Sequence, residues 1–181
     1  MDQFAKCIQL LKEAVPQISR LGTLYARSWG YTAAIREMAL RNSLPVVGPP
    51  LERPTDEQEY RRVFAALAQE GADGLLVSDE AENTTYRRLI VELAAKGRLP
   101  TIYPWRQFVE AGGLMSYGID LADLGHRVAD LVDQILKGAK PGEIPIFQPT
   151  QFELSINLKT AKTLGIELPP LLVARADNVI E

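Results

Sequence analysis

Short apolar runs alternate with segments of helical spacing over the first 118 residues, and this alternation constrains the fold more than any other feature. Strands that alternate with helices favour a parallel sheet with helices on both faces. The sequence therefore predicts a doubly wound α/β fold with a mainly parallel, five-stranded sheet flanked by helices. The predicted strands are residues 21–25, 44–47, 74–77, 99–103 and 114–117.

Helices are predicted between these strands from the spacing of apolar residues. Thr55 is predicted to open one of them, with Gln58 completing a capping box. Residues 83–96 are predicted to form a single helix that ends at Gly97. The segment 48–54 is predicted to be a loop, because its prolines lack the amide hydrogen that regular strand pairing needs.

Residues 119–181 follow a different pattern. Asp120 is placed to cap a long helix, 121–137, whose apolar residues lie at helical spacing. A connector rich in glycine and proline follows, then a predicted strand, 152–156, and a short helix that Asn157 caps. The tail is predicted to pack as another short helix. The apolar residues of the long helix are Leu124, Val128, Leu131, Val132 and Ile135.

Composition and charge exclude several classes of protein. The chain of 181 residues has a formal net charge of −3 and a pI near 5.3, which provides no basic surface for a nucleic acid. No apolar run reaches the ~18 residues that a membrane-spanning helix needs. The one cysteine, Cys7, excludes an intrachain disulfide and a cysteine-rich metal site. The opening residues have the spacing of an amphipathic helix and lack the layout of a signal peptide.

Catalytic and cofactor motifs are absent from the sequence. There is no phosphate-binding loop, nucleophile elbow or zinc-ligand spacing. Gly112, Gly113 and Gly118 do not have the spacing of a dinucleotide fingerprint. His126 is the one histidine, and it is predicted to lie at the surface or in an interface. We therefore expect no enzymatic activity, no cofactor and no metal ion.

The candidate ligand residues lie in loops that follow predicted strands, because ligands bind beyond the carboxyl ends of parallel strands. The loop after the first strand carries Ser28, Trp29 and Tyr31, which offer hydroxyls and stacking surfaces. The loop after the third strand carries Ser78 and Asp79, a hydroxyl and a carboxylate for a polar or ammonium-bearing solute. Helix capping and favourable interaction with a helix dipole are the alternative roles of these residues.

Two further segments complete the predicted site. Trp105 and Arg106 follow the fourth strand, where an aromatic ring suits a planar solute and a guanidinium suits a carboxylate. One of the two aromatic residues there, Tyr103 or Trp105, is predicted to belong to the core. Ser116 and Tyr117 lie in the fifth strand, beside glycines that allow close approach of the backbone.

Six segments of the chain carry a resemblance to one family of proteins: EAGGLMSYG, ILKGAKPGEIP, QPTQFELSINLKTAKTLG, LLKEAVPQISRLGTLYA, GADGLLVSDE and LPTIYPWRQFVEAGG. They are similar to the substrate-binding proteins that feed ABC importers, in the branch that includes tryptophan/tyrosine-type transporters. The resemblance covers nearly the whole chain, which looks like the second half of a two-lobed protein. It implies one lobe of a type I periplasmic-binding-protein-like fold, followed by elements that cross the hinge.

The resemblance also implies a domain organisation and a role. It divides the chain into an α/β ligand-binding lobe, residues 1–118, and a C-terminal part, residues 119–181, that packs on this lobe, on a first lobe or on a partner subunit. It implies a small solute such as an amino acid, delivered from an interlobe cleft to ABC permease and ATPase subunits. The full-length protein is then expected outside the cytoplasm, in the periplasm or on a lipid anchor. With half a cleft, the chain by itself is expected to bind solute weakly or not at all.

Two other functions are compatible with the same sequence. Bacterial repressors of the lactose-repressor type reuse the two-lobed fold, so the chain also fits the effector-binding domain of a transcriptional regulator. The other alternative is a stand-alone single-lobe sensing module that forms a homodimer through exposed C-terminal elements. A helix-turn-helix encoded upstream would favour the regulator, and a clean monomer in solution would argue against the dimeric module.

Overall fold

The computed structural model describes residues 2–26, 32–146, 149 and 151–181, and the elements below belong to those ranges. The strands are β1 (Leu21–Leu24), β2 (Val46–Val47), β3 (Gly74–Val77), β4 (Thr101–Tyr103), β5 (Met115–Ile119), β6 (Phe152–Asn157) and β7 (Asn178–Ile180). The helices are α1 (Asp2–Ala14), α2 (Thr32–Arg41), α3 (Glu57–Gln69), α4 (Ala81–Thr85), α5 (Arg87–Lys96), α6 (Arg106–Glu110), α7 (Leu121–Leu136), α8 (Leu158–Leu164) and α9 (Pro170–Ala174). A 3-10 turn covers Pro141–Glu143.

The strands form one seven-stranded sheet in the order β2-β1-β3-β4-β5-β6-β7. Neighbouring strands are parallel, except that β5 and β6 pair antiparallel. The predicted doubly wound, mainly parallel α/β fold is therefore confirmed. The predicted number of five strands is too low, because β6 and β7 extend the same sheet beyond β5.

The seventh strand lies in the tail, where the sequence predicts only a short helix. The tail forms that helix, α9, and then turns into β7. Asp177 makes the turn, because its amide donates to the carbonyl of Leu154 at 2.8 Å and its carboxylate accepts from the amide of Leu154 at 2.7 Å. These two bonds align Asn178 with Ser155 in β6. No local pattern in the tail predicts this contact, because it joins residues that are distant in the sequence.

Helices cover both faces of the sheet, and each face has its own buried core. The core on the α1 face includes Ile8, Leu11 and Ile35. The core on the α3 face includes Tyr60 and Ile90. Every residue of β1 and β3 is buried, as expected for central strands that are covered on both sides.

Two strands begin two residues later than predicted. Leu44 and Leu99 are both buried, but they do not belong to the sheet. Their amides donate to the carbonyls of Ala39 and Ala94, at 2.9 Å each, and so close the preceding helices. The apolar character of Leu44 and Leu99 predicted their burial correctly. Their backbone amides, however, bond to the preceding helices and not to a neighbouring strand.

The helix predicted to open at Thr55 begins later, and its cap is a different residue. In α3 the N-cap is Asp56, whose carboxylate accepts from the amide of Glu59 at 2.9 Å. The predicted capping box of Thr55 and Gln58 is therefore wrong, because the neighbouring acid satisfies the free amide of the first turn.

The single helix predicted over residues 83–96 is two helices, α4 and α5, which meet at Tyr86. Tyr86 is the C-cap of α4 and the N-cap of α5, and its ring lies 5.1 Å from the ring of Tyr60 on α3. The contact between these rings is a tertiary one, so helical spacing alone does not predict the break.

Helix α7 has no buried residue, although its apolar residues lie at the predicted helical spacing. Asp120 caps it as predicted, with a carboxylate that accepts from the amides of Ala122 at 2.8 Å and Asp123 at 3.3 Å. Val128 and Val132 are 51% and 50% exposed. Within the described ranges, no helix has both the length and the apolar character needed to cross a membrane.

Candidate functional site

The carboxyl ends of β1, β3, β4 and β5 meet at one edge of the sheet, because these strands are parallel. Strand β6 begins at the same edge, because it runs antiparallel to β5. The loops that follow the four parallel strands therefore start where ligands bind in open α/β sheets. Three of the predicted contacts, Ser28, Trp29 and Tyr31, lie outside the described residues, so the geometry below concerns the others.

Ser78 is buried, and its hydroxyl both donates and accepts a hydrogen bond within the protein. It donates to Glu80 Oε2 at 2.7 Å and accepts from Asn83 Nδ2 at 3.0 Å. Asn83 Oδ1 accepts in turn from the hydroxyl of Tyr60 at 2.8 Å. Burial raises the pKa of Tyr60, so its hydroxyl stays protonated and remains a donor at neutral pH. A direct contact between Ser78 and a solute stays a prediction.

Glu80 joins the end of β1 to the end of β3. Glu80 follows Asp79 directly, and the sequence leaves the same two roles open to both acids: pairing with a solute ammonium or favourable interaction with the dipole of the following helix. The side chain of Glu80 makes no capping bond to α4. Its Oε2 atom accepts from the amide of Ala26 at 2.8 Å and from the hydroxyl of Ser78. Sequence reasoning missed this role because Ala26 and Glu80 are 54 residues apart and no spacing rule connects them.

Asp79 and Tyr117 both lie beside Cys7, on the α1 face of the sheet. Burial and, after it, the charge of Asp79 raise the pKa of the Cys7 thiol to about 12. That thiol donates to the carbonyl oxygen of Tyr117 at 3.7 Å, and Gln3 Nε2 donates to the same oxygen at 3.2 Å. Burial also raises the pKa of the half-buried Tyr117, whose ring stacks on Phe152 with 5.5 Å between centroids. The charge of Asp79 and the carbonyl of Tyr117 thus both act on Cys7 in α1.

Trp105 lies on the opposite face and is half-buried against the core under α3 and α5. Tyr103 is fully buried and stacks on Phe108 with 4.9 Å between centroids, so it is the core aromatic that the sequence predicts at this strand. A Cβ atom at Gly118 would lie 1.9 Å from the carbonyl oxygen of Pro104. Only glycine therefore lets β5 pass this close to the loop that carries Trp105.

Arg106 is exposed, and its guanidinium faces carboxylates of the protein itself. Its Nε atom donates to Glu110 Oε1 at 2.9 Å, and its Nη1 atom lies 4.0 Å from Glu153 Oε2. Burial raises the pKa of Glu153, while the charge of Arg106 acts against that rise. A cleft of about 430 Å³ lies beside Arg106 and Glu110, and its other lining residues are Ser155, Asp177, Asn178, Val179 and Ile180. A solute carboxylate at Arg106 would compete with Glu110.

Ser116 is 1% exposed, and its hydroxyl has no hydrogen-bond partner within the described part of the chain. In the sheet it stands opposite Tyr103 on one side and Ser155 on the other. Its proposed contact with a solute stays a prediction. Among the described residues, no three His, Cys, Asp or Glu side chains are grouped so as to hold a metal ion.

The chain matches a known protein family from residue 1 to residue 180. Over that range it matches the model of the family described as ABC transporter substrate binding protein. The chain belongs to this family. The family resemblance predicted from the sequence is thereby confirmed, and the family is one of proteins that bind substrates for transporters.

Known proteins and solved structures support the same assignment. The chain is 24% identical over 166 residues to a tyrosine-binding protein of Clostridioides difficile (strain R20291), a match that covers 90% of the chain and 47% of that relative. A Streptococcus pneumonia structure, described as an ABC domain in complex with L-Trp, is 25% identical with a TM-score of 0.87, over 98% of the chain and 60% of that structure.

A ligand-free, open substrate-binding protein with adhesive properties from Clostridium difficile shares the fold. It is 22% identical with a TM-score of 0.67, over 97% of the chain and 59% of that structure. The chain thus spans about half the length of the curated relative that it matches, and 59–60% of these two solved structures.

Proposed function

We propose that the chain is one lobe of the solute-binding component of an ABC-type importer. In this proposal it binds an amino acid or a similar small solute in a cleft between two lobes, for delivery to permease and ATPase subunits. The observation that carries the proposal is that the loops after four parallel strands start from one edge of the sheet, in a chain of this family. Affinity would come from enclosing the solute and satisfying its polar groups.

The proposed domain organisation keeps the predicted boundary between residues 1–118 and 119–181. The first part holds β1 to β4, most of β5 and most of both cores, whereas α7 has no buried residue. Exposed apolar stripes of this kind mark surfaces that another element covers. We propose that a first lobe or a partner subunit covers α7. The curated relative is long enough to contain a further lobe, because the chain spans 47% of it.

The chemistry at the edge suits an amino acid. Asp79 is exposed and offers a carboxylate to an ammonium group, and the half-buried ring of Tyr117 offers a stacking surface. Arg106 offers a guanidinium to a carboxylate, and Trp105 offers a half-buried ring beside Arg106. The names of the relatives, which specify tyrosine and L-Trp, support an aromatic amino acid as the first solute to test.

Calorimetric titration of the full-length protein that the gene encodes tests this proposal, with L-tryptophan and L-tyrosine as probes beside a panel of other amino acids. We expect micromolar or tighter binding of at least one amino acid. Asp79→Asn is expected to weaken that binding about tenfold, because it removes the charged partner of the ammonium. Glu92→Gln is the matched control, since Glu92 is an exposed acid on α5 that pairs with Lys96.

Two results would contradict the proposal. One is the absence of binding to every amino acid by a folded full-length protein. The other is an affinity that Asp79→Asn and Glu92→Gln change equally. The same titration with residues 1–181 alone is expected to give weak or undetectable binding, because the cleft has only one wall.

The proposal also places the full-length protein outside the cytoplasm, as a periplasmic or lipid-anchored receptor. Fractionation of the native host with an antibody against this chain tests the location. Recovery of the protein in the cytoplasmic fraction alone would count against an importer and would favour the effector-binding domain of a regulator.

A further inference from the structure

Asn83 is a buried polar residue that ties together the carboxyl ends of β1 and β3. Its side chain is 0% exposed. Its Nδ2 atom donates to the hydroxyl of Ser78 at 3.0 Å and to the carbonyl of Ser78 at 3.2 Å, and it lies 3.4 Å from the carbonyl oxygen of Leu24. Its Oδ1 atom accepts from the hydroxyl of Tyr60 at 2.8 Å. Both polar atoms of this amide are therefore bonded, as burial requires.

The bonds of Asn83 close the loop between β3 and α4. Ser78 directly follows β3, and Asn83 is the one buried residue of α4, so its side chain reaches from the far side of the loop back to the first loop residue. Ser78 also donates its amide to the carbonyl of Leu24 at 3.0 Å and its hydroxyl to Glu80 at 2.7 Å. Ser78 is thus bonded through both its backbone and its side chain.

Asp79 lies between two residues that this network holds. Ser78 before it is buried and Glu80 after it is half-buried, whereas Asp79 itself is exposed. Fully bonded buried networks hold their members in one arrangement. A carboxylate on such a fixed backbone loses less conformational freedom when it binds a ligand than a carboxylate on a mobile loop. The structure therefore combines an exposed acid with a preorganised loop.

We propose that Asn83 is the positioning residue for Asp79, and that it holds the loop so that the Asp79 carboxylate is ready for the ammonium group of the solute. Asn83 is buried, so it acts on affinity through Asp79 and does not touch the solute. This inference rests on the proposed function for the role of Asp79, but the hold on the loop can be tested without any solute. Helical spacing predicts Asn83 only as the first residue of a helix, so sequence reasoning missed this role.

The solute-free test compares the exchange rates of two amide hydrogens in the full-length protein. The amide of Ser78 lies at the loop, whereas the amide of Leu75, near the start of β3, donates to the carbonyl of Pro100 at 2.9 Å. Asn83→Ala is expected to raise exchange at Ser78 at least about tenfold relative to exchange at Leu75, because the loop then opens locally. A general loss of stability would raise both rates by the same factor, and that result would overturn the proposal.

Two further variants make this comparison sharper. Thr85→Ala is the matched control, because Thr85 is an exposed polar residue of the same helix whose hydroxyl donates to the carbonyl of Ala81 at 3.0 Å. It is expected to change the ratio of the two exchange rates less than about twofold. Tyr60→Phe keeps the proposal testable if Asn83→Ala does not fold, since it removes only the hydroxyl that holds Asn83 Oδ1. The ratio is expected to rise about two- to fivefold in Tyr60→Phe, and an unchanged ratio would contradict the hold on the loop.

The affinity test is a double-mutant cycle with L-tryptophan and L-tyrosine as probes. Asn83→Ala and Asp79→Asn are each expected to weaken binding by up to about tenfold, and the double variant is expected to weaken it no more than Asp79→Asn alone, because Asn83 acts only through Asp79. In the same way, Tyr60→Phe is expected to weaken binding about twofold in the parent and not at all in the Asp79→Asn background. Independent contributions would instead multiply to about a hundredfold for Asn83→Ala with Asp79→Asn, and that outcome would overturn the positioning role.

The positioning role and the proposed function fail in different ways. If the folded full-length protein binds no amino acid, the proposed function fails, while the two exchange rates still decide whether Asn83 holds the loop. If an amino acid binds and Asp79→Asn weakens that binding, but Asn83→Ala and Tyr60→Phe leave it unchanged, the proposed function stands and the positioning role of Asn83 is overturned.

Discussion

Helices α1 and α7 carry the same kind of apolar stripe, but only α1 is covered. Ile8 and Leu11 on α1 are both 0% exposed and belong to the core on that face of the sheet. On α7, Val128 and Val132 also stand at helical spacing, four residues apart, and are about half exposed. An amphipathic pattern therefore indicates that one face of a helix can be buried, but it does not identify the element that buries it. The difference between the two helices supports the proposal that a first lobe or a partner subunit covers α7.

The largest expected effect is the loss of stability caused by a substitution in α1, which a substitution in α7 is not expected to cause. Leu11→Ala is expected to lower the free energy of unfolding by about 2–5 kcal/mol, because it leaves a cavity in a closed core. Val128→Ala on α7 is expected to change it by less than about 0.5 kcal/mol in the same chain. Urea denaturation of residues 1–181 measures both values. Similar losses of stability in Leu11→Ala and Val128→Ala would contradict this comparison, because they would mean that α7 is covered within this chain.

A second test compares the reactivity of thiols on the two helices. The pKa of Cys7 on α1 is raised to about 12 by burial first and then by the charge of Asp79. A raised thiol pKa leaves less thiolate at pH 8, so Cys7 is expected to react on the order of a thousandfold more slowly than an exposed thiol. Val128→Cys in a Cys7→Ala background supplies the exposed thiol on α7.

The measurement for this second test is the rate of reaction with a disulfide reagent under native conditions. Because the thiolate fraction of Cys7 grows with pH up to its raised pKa, its rate is expected to keep rising beyond pH 9, whereas the rate of the α7 thiol levels off near its ordinary pKa. Native rates at pH 8 that agree within tenfold would contradict the burial of Cys7. Addition of urea serves as the control, since it should make the two thiols equally reactive.

The smallest expected effects come from ion pairs near the two helices. Arg175 on the tail pairs with Glu13 on α1 across 162 residues of sequence, at 2.6 Å, whereas Lys137 pairs with Asp133 within the last turns of α7 at 2.7 Å. Both pairs are exposed enough that solvent weakens them. Arg175→Ala is expected to cost about 0.5–1 kcal/mol and Lys137→Ala less than about 0.5 kcal/mol. Denaturation at low and high salt checks both values, and a larger cost at Lys137 would reverse the expected order.

Much of the fold follows from local patterns in the sequence. Short apolar runs mark β1, β3 and β5 to within two residues, and the caps Asp120 and Asn157 lie where the sequence places them. Two of the errors occur where a residue has two local options. Leu44 and Leu99 are apolar enough for a strand, but their amides close the preceding helix.

The candidate site is predicted less completely than the fold. The order of strands and loops indicates the edge, because parallel strands bring their carboxyl ends together. The side chains within the loops are a different matter. Asp79 and Glu80 are equivalent acids in the sequence, whereas the structure leaves Asp79 exposed and bonds Glu80 to Ala26 and Ser78. The choice between them depends on partners that are distant in the sequence.

The sequence by itself determined the α/β class, the edge at which the loops open and the amphipathic character of α1 and α7, because helix and strand periodicity are local properties and the alternation of strands with helices favours parallel strands. Only the tertiary structure decided that the tail adds β7, that Glu80 holds Ala26 and that α7 is left uncovered. Each of these depends on a contact made, or not made, between residues far apart in the chain. Such contacts arise from packing and hydrogen bonding across the whole fold, which no window of neighbouring residues contains.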